Sequence, residues 1–496
     1  MIKNMDIEKR KRNRMIRLIV TEVVMVVAIV LIVGVLVAVA NGWRLNKNLG
    51  VEQNGLVQIN SLPNGATIEI DGETLFAKTD ASKMLMSGKH LVKLTKNGYD
   101  GWAKQIEVTP GWLLRLKYPR LFKQRRVREQ VRKYGEMRFL KASPNRNLLL
   151  YAVDNSTRWQ LMSIRDDEIK VETIDLTGLL TKTEEGGLEI KEMIWNDEGT
   201  KLILAVDKTE GREWIILDLL DLIKSVNLTR NLTELRMKNR DNLKVDQAGD
   251  KIEKVRWLGR SSGRVAMMIS GRLHSLDLNN SHFSEALALN VADFAAEEKG
   301  ILFVTKTDET KNRMIGLIKE GERKIVEVKK VEEDKDEVYL AIGEFEGGKI
   351  IAFTVGKRWY IYRGEDFPSS NGGIEEMKLV VESDLKFAPQ SQMKFSPKKD
   401  LLAINGEKMT AMFDTEVDKY YEYQIKNTET KWLDDYLVFE VKDGRMIGRD
   451  FDGSNARILA KEAVGKDYDA VITASNRWLY FVTEDGSDKI LQRERL

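Results

Sequence analysis

No cysteine occurs among the 496 residues. This excludes disulfide bridges, thiolate zinc sites, iron–sulfur clusters and thiol catalysis. Histidine is almost as scarce: His90, His274 and His282 are the whole complement. A three-histidine metal site would need all of them, drawn from distant segments, so no metal site is expected. The glycine patterns of nucleotide-binding folds, a Gly-x-Ser-x-Gly elbow and kinase signatures are missing too. No catalytic residue and no cofactor is therefore expected. Net charge is low, at +3. Residues 1–17 hold seven basic side chains and two acidic ones, so the remaining chain carries about −2. A nearly neutral body lacks the basic face that nucleic-acid binding requires.

One long apolar run is present. Residues 18–40, "LIVTEVVMVVAIVLIVGVLVAVA", contain only Thr21 and Glu22 as polar residues, both near the N-terminal end. As a helix, the run reaches roughly 34 Å, enough to span a hydrocarbon core. The basic leader, residues 1–17, places the N-terminus in the cytoplasm and everything after Ala40 outside. The small residues Ala38-Val39-Ala40 also fit a cleavage site, so a removed signal peptide is the rival reading. The run exceeds the ~7–15 residues of a signal core, which favours a transmembrane anchor. Either reading exports the rest of the chain.

Residues 54–119 carry short strands between turn signals. Strands are expected at Leu56–Asn60, Ala66–Ile70, His90–Thr95 and Trp102–Val108, with turns at Gly65, Gly72, Gly88 and Gly98. A β-unit this small buries little surface. Its elements Ser61-x-Pro63-x-Gly65-Ala66, Asp71-Gly72, Gly88-x-His90-x-Val92 and Gly98-Tyr99 resemble the PEGA domain family. That resemblance implies a small β-sandwich-like module of bacterial surface and membrane-tethered proteins, acting as an extracytoplasmic adaptor or spacer. One departure stands out. The family's Gly-x-Thr-Pro element is replaced by "ETLFAKTDAS", with Thr79 and no proline, so the middle turn is expected to differ.

Residues 120–134 form a basic connector containing "KQRRVREQVRK". Helical propensity without an apolar stripe predicts a solvated helical linker. The sharper alternative is contact with anionic lipid headgroups or wall polymers through Arg125, Arg126, Arg128 and Arg132.

From residue 135 to 496 a polar turn followed by an apolar strand recurs. Apolar runs begin at Leu148, Leu202, Val265, Ile301, Ile350, Leu401, Leu437 and Leu479. Their spacing averages close to the ~40–50 residues of a propeller blade. Second strands follow at 158–164, 213–219, 271–278, 358–364 and 444–453. Such blades bury their faces only by stacking around an axis. The expected fold is mainly β: a transmembrane helix, a small PEGA-like sandwich, then a β-propeller of seven or eight blades. A strand near Glu136–Leu140 would complete its last sheet. The rival is a pair of β-sandwich domains. "SPNRNLLLY" and "RMIGRDFDGSNARIL" resemble TolB-type or dipeptidyl-peptidase-type propeller repeats, without the hydrolase domain that follows the latter. A helix is expected within 217–243, and 329–337 reads as a solvated loop.

Three groups invite chemistry. Asp450-Phe451-Asp452-Gly453 lacks the full calcium loop and reads as a blade turn. The acid pair Asp434-Asp435 cannot by itself establish glycosidase chemistry. Trp359, Tyr360 and Tyr362, or Tyr420, Tyr421 and Tyr423, read as blade packing before they read as a ligand-stacking site. The expectation is a single-pass, non-enzymatic extracytoplasmic protein. Its propeller binds a protein or envelope component, as a disc held off the membrane by the PEGA-like stalk. A propeller hydrolase or lyase acting on envelope carbohydrate or peptide is the alternative, and a scaffold subunit of an envelope assembly is a third reading.

Overall fold

The computed structural model describes residues 2–40, 43–45, 51–154, 157–165, 167–180, 189–208, 211–238, 251–259, 263–307, 309, 312–322, 324–332, 336–425 and 429–496. By contact the chain divides into two compact units, Met1–Arg125 and Arg126–Leu496.

The first unit opens with one α-helix, Ile2–Ala40. Its stretch Arg17–Val39 is 23 residues long and apolar enough to cross a membrane, with none of it buried against protein. The Thr21 hydroxyl donates to the Arg17 carbonyl at 2.8 Å, so its polar group is satisfied within the helix. Apart from Arg17, the basic side chains of the leader lie outside the described residues.

Residues 55–116 then fold as two small sheets, with seven strands where four were expected. Glu73–Lys78, Thr67–Ile70, Gly88–Thr95 and Trp102–Val108 lie side by side in one sheet; Ala81–Leu85, Gly55–Ile59 and Leu113–Leu116 form the other. Val57, Ile59, Ile68, Val92, Leu94, Trp102 and Leu116 make the core between them. The three additional strands lie at sheet edges, and Glu73–Lys78 is mostly exposed, so the alternation that marks a half-buried strand is weak there. Asp71 and Gly72, both at positive φ, close the two-residue hairpin that pairs Ile70 with Glu73. The divergent segment "ETLFAKTDAS" therefore builds two edge strands around Thr79. The Thr79 hydroxyl meets the Ser61 hydroxyl at 2.6 Å and accepts from the Ala66 amide at 2.9 Å, tying the Ser61–Ala66 turn down.

The second unit contains eight four-stranded sheets among its described residues, each antiparallel and seven of them built from consecutive strands: in chain order sheet 1 (139–175), 2 (189–227), 3 (252–283), 4 (291–331), 5 (340–384), 6 (394–424), 7 (431–461) and 8 (471–495 with 128–134). The eight apolar runs expected from the sequence fall one to a sheet, each as the second strand. The reason for their continuous apolarity is visible in sheet 2 (residues 189–227). Leu202, Leu204 and Val206 pack towards sheet 1, while Ile203 and Ala205 pack towards sheet 3. Both faces are buried, so the strand cannot alternate. Sheet 5 repeats the pattern with Ile351 and Phe353 on one side, Ile350 and Ala352 on the other. Paired indoles tie sheets 2 and 3 together: Trp214 Nε1 donates to the Ile252 carbonyl and Trp257 Nε1 to the Ile194 carbonyl, each at 3.0 Å. The first strand of sheet 4 lies against the first strands of sheets 3 and 5, which places these strands on the side nearest the axis. The arrangement is a β-propeller.

Sheet 8 closes the ring and corrects two expectations. Its strands Val471–Ile472, Trp478–Asp485 and Asp488–Arg495 take their fourth partner from Arg128–Tyr134, in register from Arg128↔Glu494 to Tyr134↔Lys489. The basic connector is thus not a helix over this span. Every residue of Arg128–Tyr134 except Val131, where the register shifts, pairs with an edge that would otherwise be open, and closure overrides local propensity. The strand at Phe139–Ala142, near the segment expected to close the ring, instead begins sheet 1. In the 217–243 insertion the helix occupies Leu228–Lys238, after a single turn at Leu222–Lys224; residues 239–243 lie outside the described residues. The 329–337 segment begins as strand Val326–Val331, and its residues 333–335 also lie outside them.

Candidate functional site in the propeller channel

The first strands of the sheets bring charged side chains to the axis. Four of them share one register position. Ser143, Leu258, Ser396 and Leu433 each donate their amide to the carbonyl that starts or precedes the second strand of their sheet, at 2.8–3.0 Å. Two residues before each stands a cation: Lys141, Arg256, Lys394 and Lys431. Sheets 1, 3, 6 and 7 therefore set four positive charges at one level of the channel.

Acidic and carbonyl groups answer them. Lys141 Nζ lies 3.5 Å from Asp469. Arg256 Nη1 donates to Glu192 at 2.8 Å. Lys394 pairs with Glu429. Lys431 donates to the carbonyls of Gly465, Lys466 and Tyr468. In the next layer Lys254 pairs with Asp293, and Gln392 Nε2 donates to the other oxygen of that carboxylate at 2.8 Å. Gly343 on the intervening sheet 5 makes room for the Phe395 ring, from which a Cβ would stand only 2.6 Å.

Enclosure works against these charges. Burial pushes Lys394 down to about 8, with Asp469 opposing and Lys141 and Arg256 adding to the fall. Its side chain is nonetheless 48% accessible, so it faces solvent within the ring rather than packed protein. Burial also lowers Lys254 and Lys431, against the pull of Asp293 and Asp469 respectively.

One mouth of the channel is braced by ion pairs between the turns that join first and second strands. Lys399 of sheet 6 reaches Glu297 of sheet 4 at 2.7 Å and Asp197 of sheet 2 at 2.9 Å. Burial opposes its charge, but the two carboxylates prevail and hold its pKa above the usual lysine value. Arg146 and Lys398 share Asp435, each at 3.2 Å, and Tyr436 donates to Asp400.

The residues singled out in the sequence fall elsewhere. Arg126 and Arg128 both engage the buried Glu494, at 2.8 and 2.9 Å, and Arg126 also donates to the Leu459 carbonyl. These two form a latch on the ring. Arg132 is exposed and interacts with the Tyr151 hydroxyl; Arg125 is exposed at the end of the first unit. Trp359 and Tyr360 are buried, with Trp359 edge-on to Phe413 and Tyr420, as blade packing requires. Asp450 and Asp452 accept from Asn455 and Ser454 within their own turn. Asp434 caps its turn through the Tyr436 and Leu437 amides. His274 stacks on Phe283, and His90 pairs with Asp71, so the histidines do not converge. Among the described residues no group of three His, Asp or Glu side chains is placed to hold a metal ion. The cation layer escaped the sequence reading, although a signal exists. Lys141-Ala142-Ser143-Pro144 and Lys394-Phe395-Ser396-Pro397 repeat a lysine two residues before a Ser-Pro turn.

Residues 54–120 match the family model of the PEGA domain. No curated protein matches the chain in sequence. Among solved structures, the C-terminal WD40 domain of Sif2 is similar over 75% of this chain and 98% of its own, at 8% identity and a TM-score of 0.44. Oligogalacturonate lyase from Vibrio parahaemolyticus is similar over 73% of this chain and 97% of its own, at 9% identity and a TM-score of 0.39. Dipeptidyl peptidase 4 from Porphyromonas gingivalis is similar over 71% of this chain and 57% of its own, at 10% identity and a TM-score of 0.45. The chain carries, in order, an N-terminal apolar helix, a PEGA domain and a β-propeller.

Proposed function

We propose that this chain is a single-pass, non-enzymatic binding or scaffold protein of the bacterial envelope. The apolar helix anchors it, with the basic leader in the cytoplasm and all that follows Ala40 outside. The PEGA domain is a spacer. The propeller recognises an acidic group of a protein or envelope component within its channel. The observation that supports this reading is the layer of Lys141, Arg256, Lys394 and Lys431 at one register. Burial holds Lys394 and Lys431 below the usual lysine range, so an anion arriving between them favours their charged forms and gains in return. Carboxylates of the channel already hold cations, which suits a binding frame better than a free acid–base pair.

The test is capture from crosslinked cells with three forms: the full chain, a chain lacking 126–496, and a variant with Lys141, Arg256, Lys394 and Lys431 each changed to Gln. The reading expects a partner retained by the first and lost from both others. Capture of the same partner by all three overturns it.

A lyase or hydrolase is the second reading, favoured by one feature: Lys394, at about 8 and solvent-facing, could accept a proton near neutral pH. Conversion of the captured partner by the purified chain, lost in Lys394→Met, would establish that reading. An unchanged partner supports binding.

A further inference from the structure

We infer that the PEGA domain stands on the bilayer surface, with one end of its three-stranded sheet in contact with lipid. The inference rests on the anchor reading of the apolar helix.

The first argument is the path of the chain. Trp43–Leu45 pairs antiparallel with Val51–Gln53, with Trp43 opposite Gln53. Residues 44–52 therefore add almost nothing to the reach between the helix end at Ala40 and the first PEGA strand at Gly55. Three residue steps, one interstrand gap and two further steps give at most roughly 23 Å. The headgroup layer occupies several ångströms of that span.

The second argument is the surface that this path brings close to the membrane. On the outer face of the three-stranded sheet, Met84, Leu56 and Leu113 stand in register as one row across all three strands. Leu56 and Leu113 are exposed, at 36% and 40%. Trp112 and Met86 flank the row at the same end and are 67% and 59% exposed. Trp112 is held there by its carbonyl, which accepts from the Leu56 amide at 3.0 Å. One pair further along, the same face becomes polar, with Gln58 opposite Ser82 and Arg115. The apolar surface is thus confined to the end where the chain arrives from the helix. A tryptophan beside a short apolar row suits the boundary between headgroups and acyl chains, where an indole buries its body and keeps its N–H wet. Solvent along the whole face would instead allow polar residues at both ends.

The absence of cysteine makes the test direct. Single substitutions Met86→Cys, Asn97→Cys and Val27→Cys in the full chain accept an environment-sensitive fluorophore. Asn97 is exposed at the far end of the domain, beyond the Thr67↔Thr95 pair. Each labelled chain is reconstituted in phosphatidylcholine–phosphatidylglycerol vesicles containing lipids spin-labelled at the headgroup or deep in the acyl chain. The expected result is headgroup quenching several-fold stronger at position 86 than at 97, with deep quenching at 27. Adding Leu56→Ser and Trp112→Ser should weaken quenching at 86 and leave 27 unchanged. Deep quenching at 27 with equal, weak quenching at 86 and 97 overturns the lipid contact while sparing the anchor. A blue-shifted but unquenched probe at 86 overturns it in favour of a protein cover. Loss of quenching at 27 overturns the anchor itself, and this inference with it.

Discussion

The PEGA domain and the propeller answer the same problem, the free sheet edge, in opposite ways. In the PEGA domain the first and last strands, Gly55–Ile59 and Leu113–Leu116, run parallel and adjacent. The chain therefore arrives at one end and departs from the other, where Leu62 bridges Arg120 and Tyr99 bridges Lys123. Edges such as Glu73–Lys78 stay open, with Phe76 fully exposed. In the propeller the first and last strands pair antiparallel, and residues more than 350 apart in sequence become neighbours. Both ends of the ring meet in one sheet, and closure shields edges that would invite pairing. The parallel pairing passes the chain from one end of its domain to the other, whereas the antiparallel closure brings both ends of the ring together.

Breaking the closure should have the largest effect. Glu494→Ala leaves the largely buried Arg126 without its carboxylate, beside the more exposed Arg128, and should cost the propeller about 3–5 kcal/mol. Denaturant unfolding should show the propeller transition moved and the PEGA transition unmoved. A common shift of both would deny that the two regions are separately stabilised.

Core truncation sharpens the comparison next. Trp214 is fully buried and ties two sheets; Trp102 is its counterpart in the PEGA core. Each change to Ala should cost about 3–5 kcal/mol, and only in its own region. Because the PEGA core is small, Trp102→Ala should unfold that domain at 37 °C, whereas the ring survives Trp214→Ala. Circular dichroism melts of both variants decide this.

Lys399→Met should be milder. It leaves Glu297, 5% exposed, without its cation and should cost the propeller about 1–3 kcal/mol. An unchanged melting temperature would show that the turns of sheets 2, 4 and 6 need no brace.

The smallest effect is a pH dependence confined to the PEGA domain. Its Asp71–His90 pair, 2.6 Å apart, joins the hairpin turn to the next strand. Burial opposes protonation of His90, but the bonds to Asp71 and the Met86 carbonyl outweigh it and raise its pKa above 6.5. That contribution is present below about pH 6.5 and fades as pH rises through the raised value. The hydrogen bond from His90, then the Leu91 amide, lower Asp71 below 3.8. That contribution is present above about pH 4 and fades as pH falls through the lowered value. The PEGA melt should peak between about pH 4 and 6.5, and His90→Ala should flatten the profile.

Much of this was legible in the sequence, for a physical reason. Second strands buried on both faces must be apolar throughout, so Leu148, Leu202 and their six counterparts announce the sheets. Asp71-Gly72 announces its hairpin because both residues take positive φ readily. Two features were hidden. Arg128–Tyr134 looks like a soluble helix because its strand is dictated by Asp488–Arg495, at the other end of the sequence. The channel cations look like isolated lysines until the sheets are aligned on their turns, since only the ring brings Lys141 and Lys394 to one level.

The most direct test of the account is the side of the membrane on which the propeller lies. With no native cysteine, S487C in the last hairpin of the propeller and N4C in the leader each give a single thiol. Both are exposed to a membrane-impermeant maleimide in spheroplasts with intact membranes. The account predicts labelling of S487C before lysis and of N4C only after it. Labelling of N4C before lysis, with S487C protected, would contradict it.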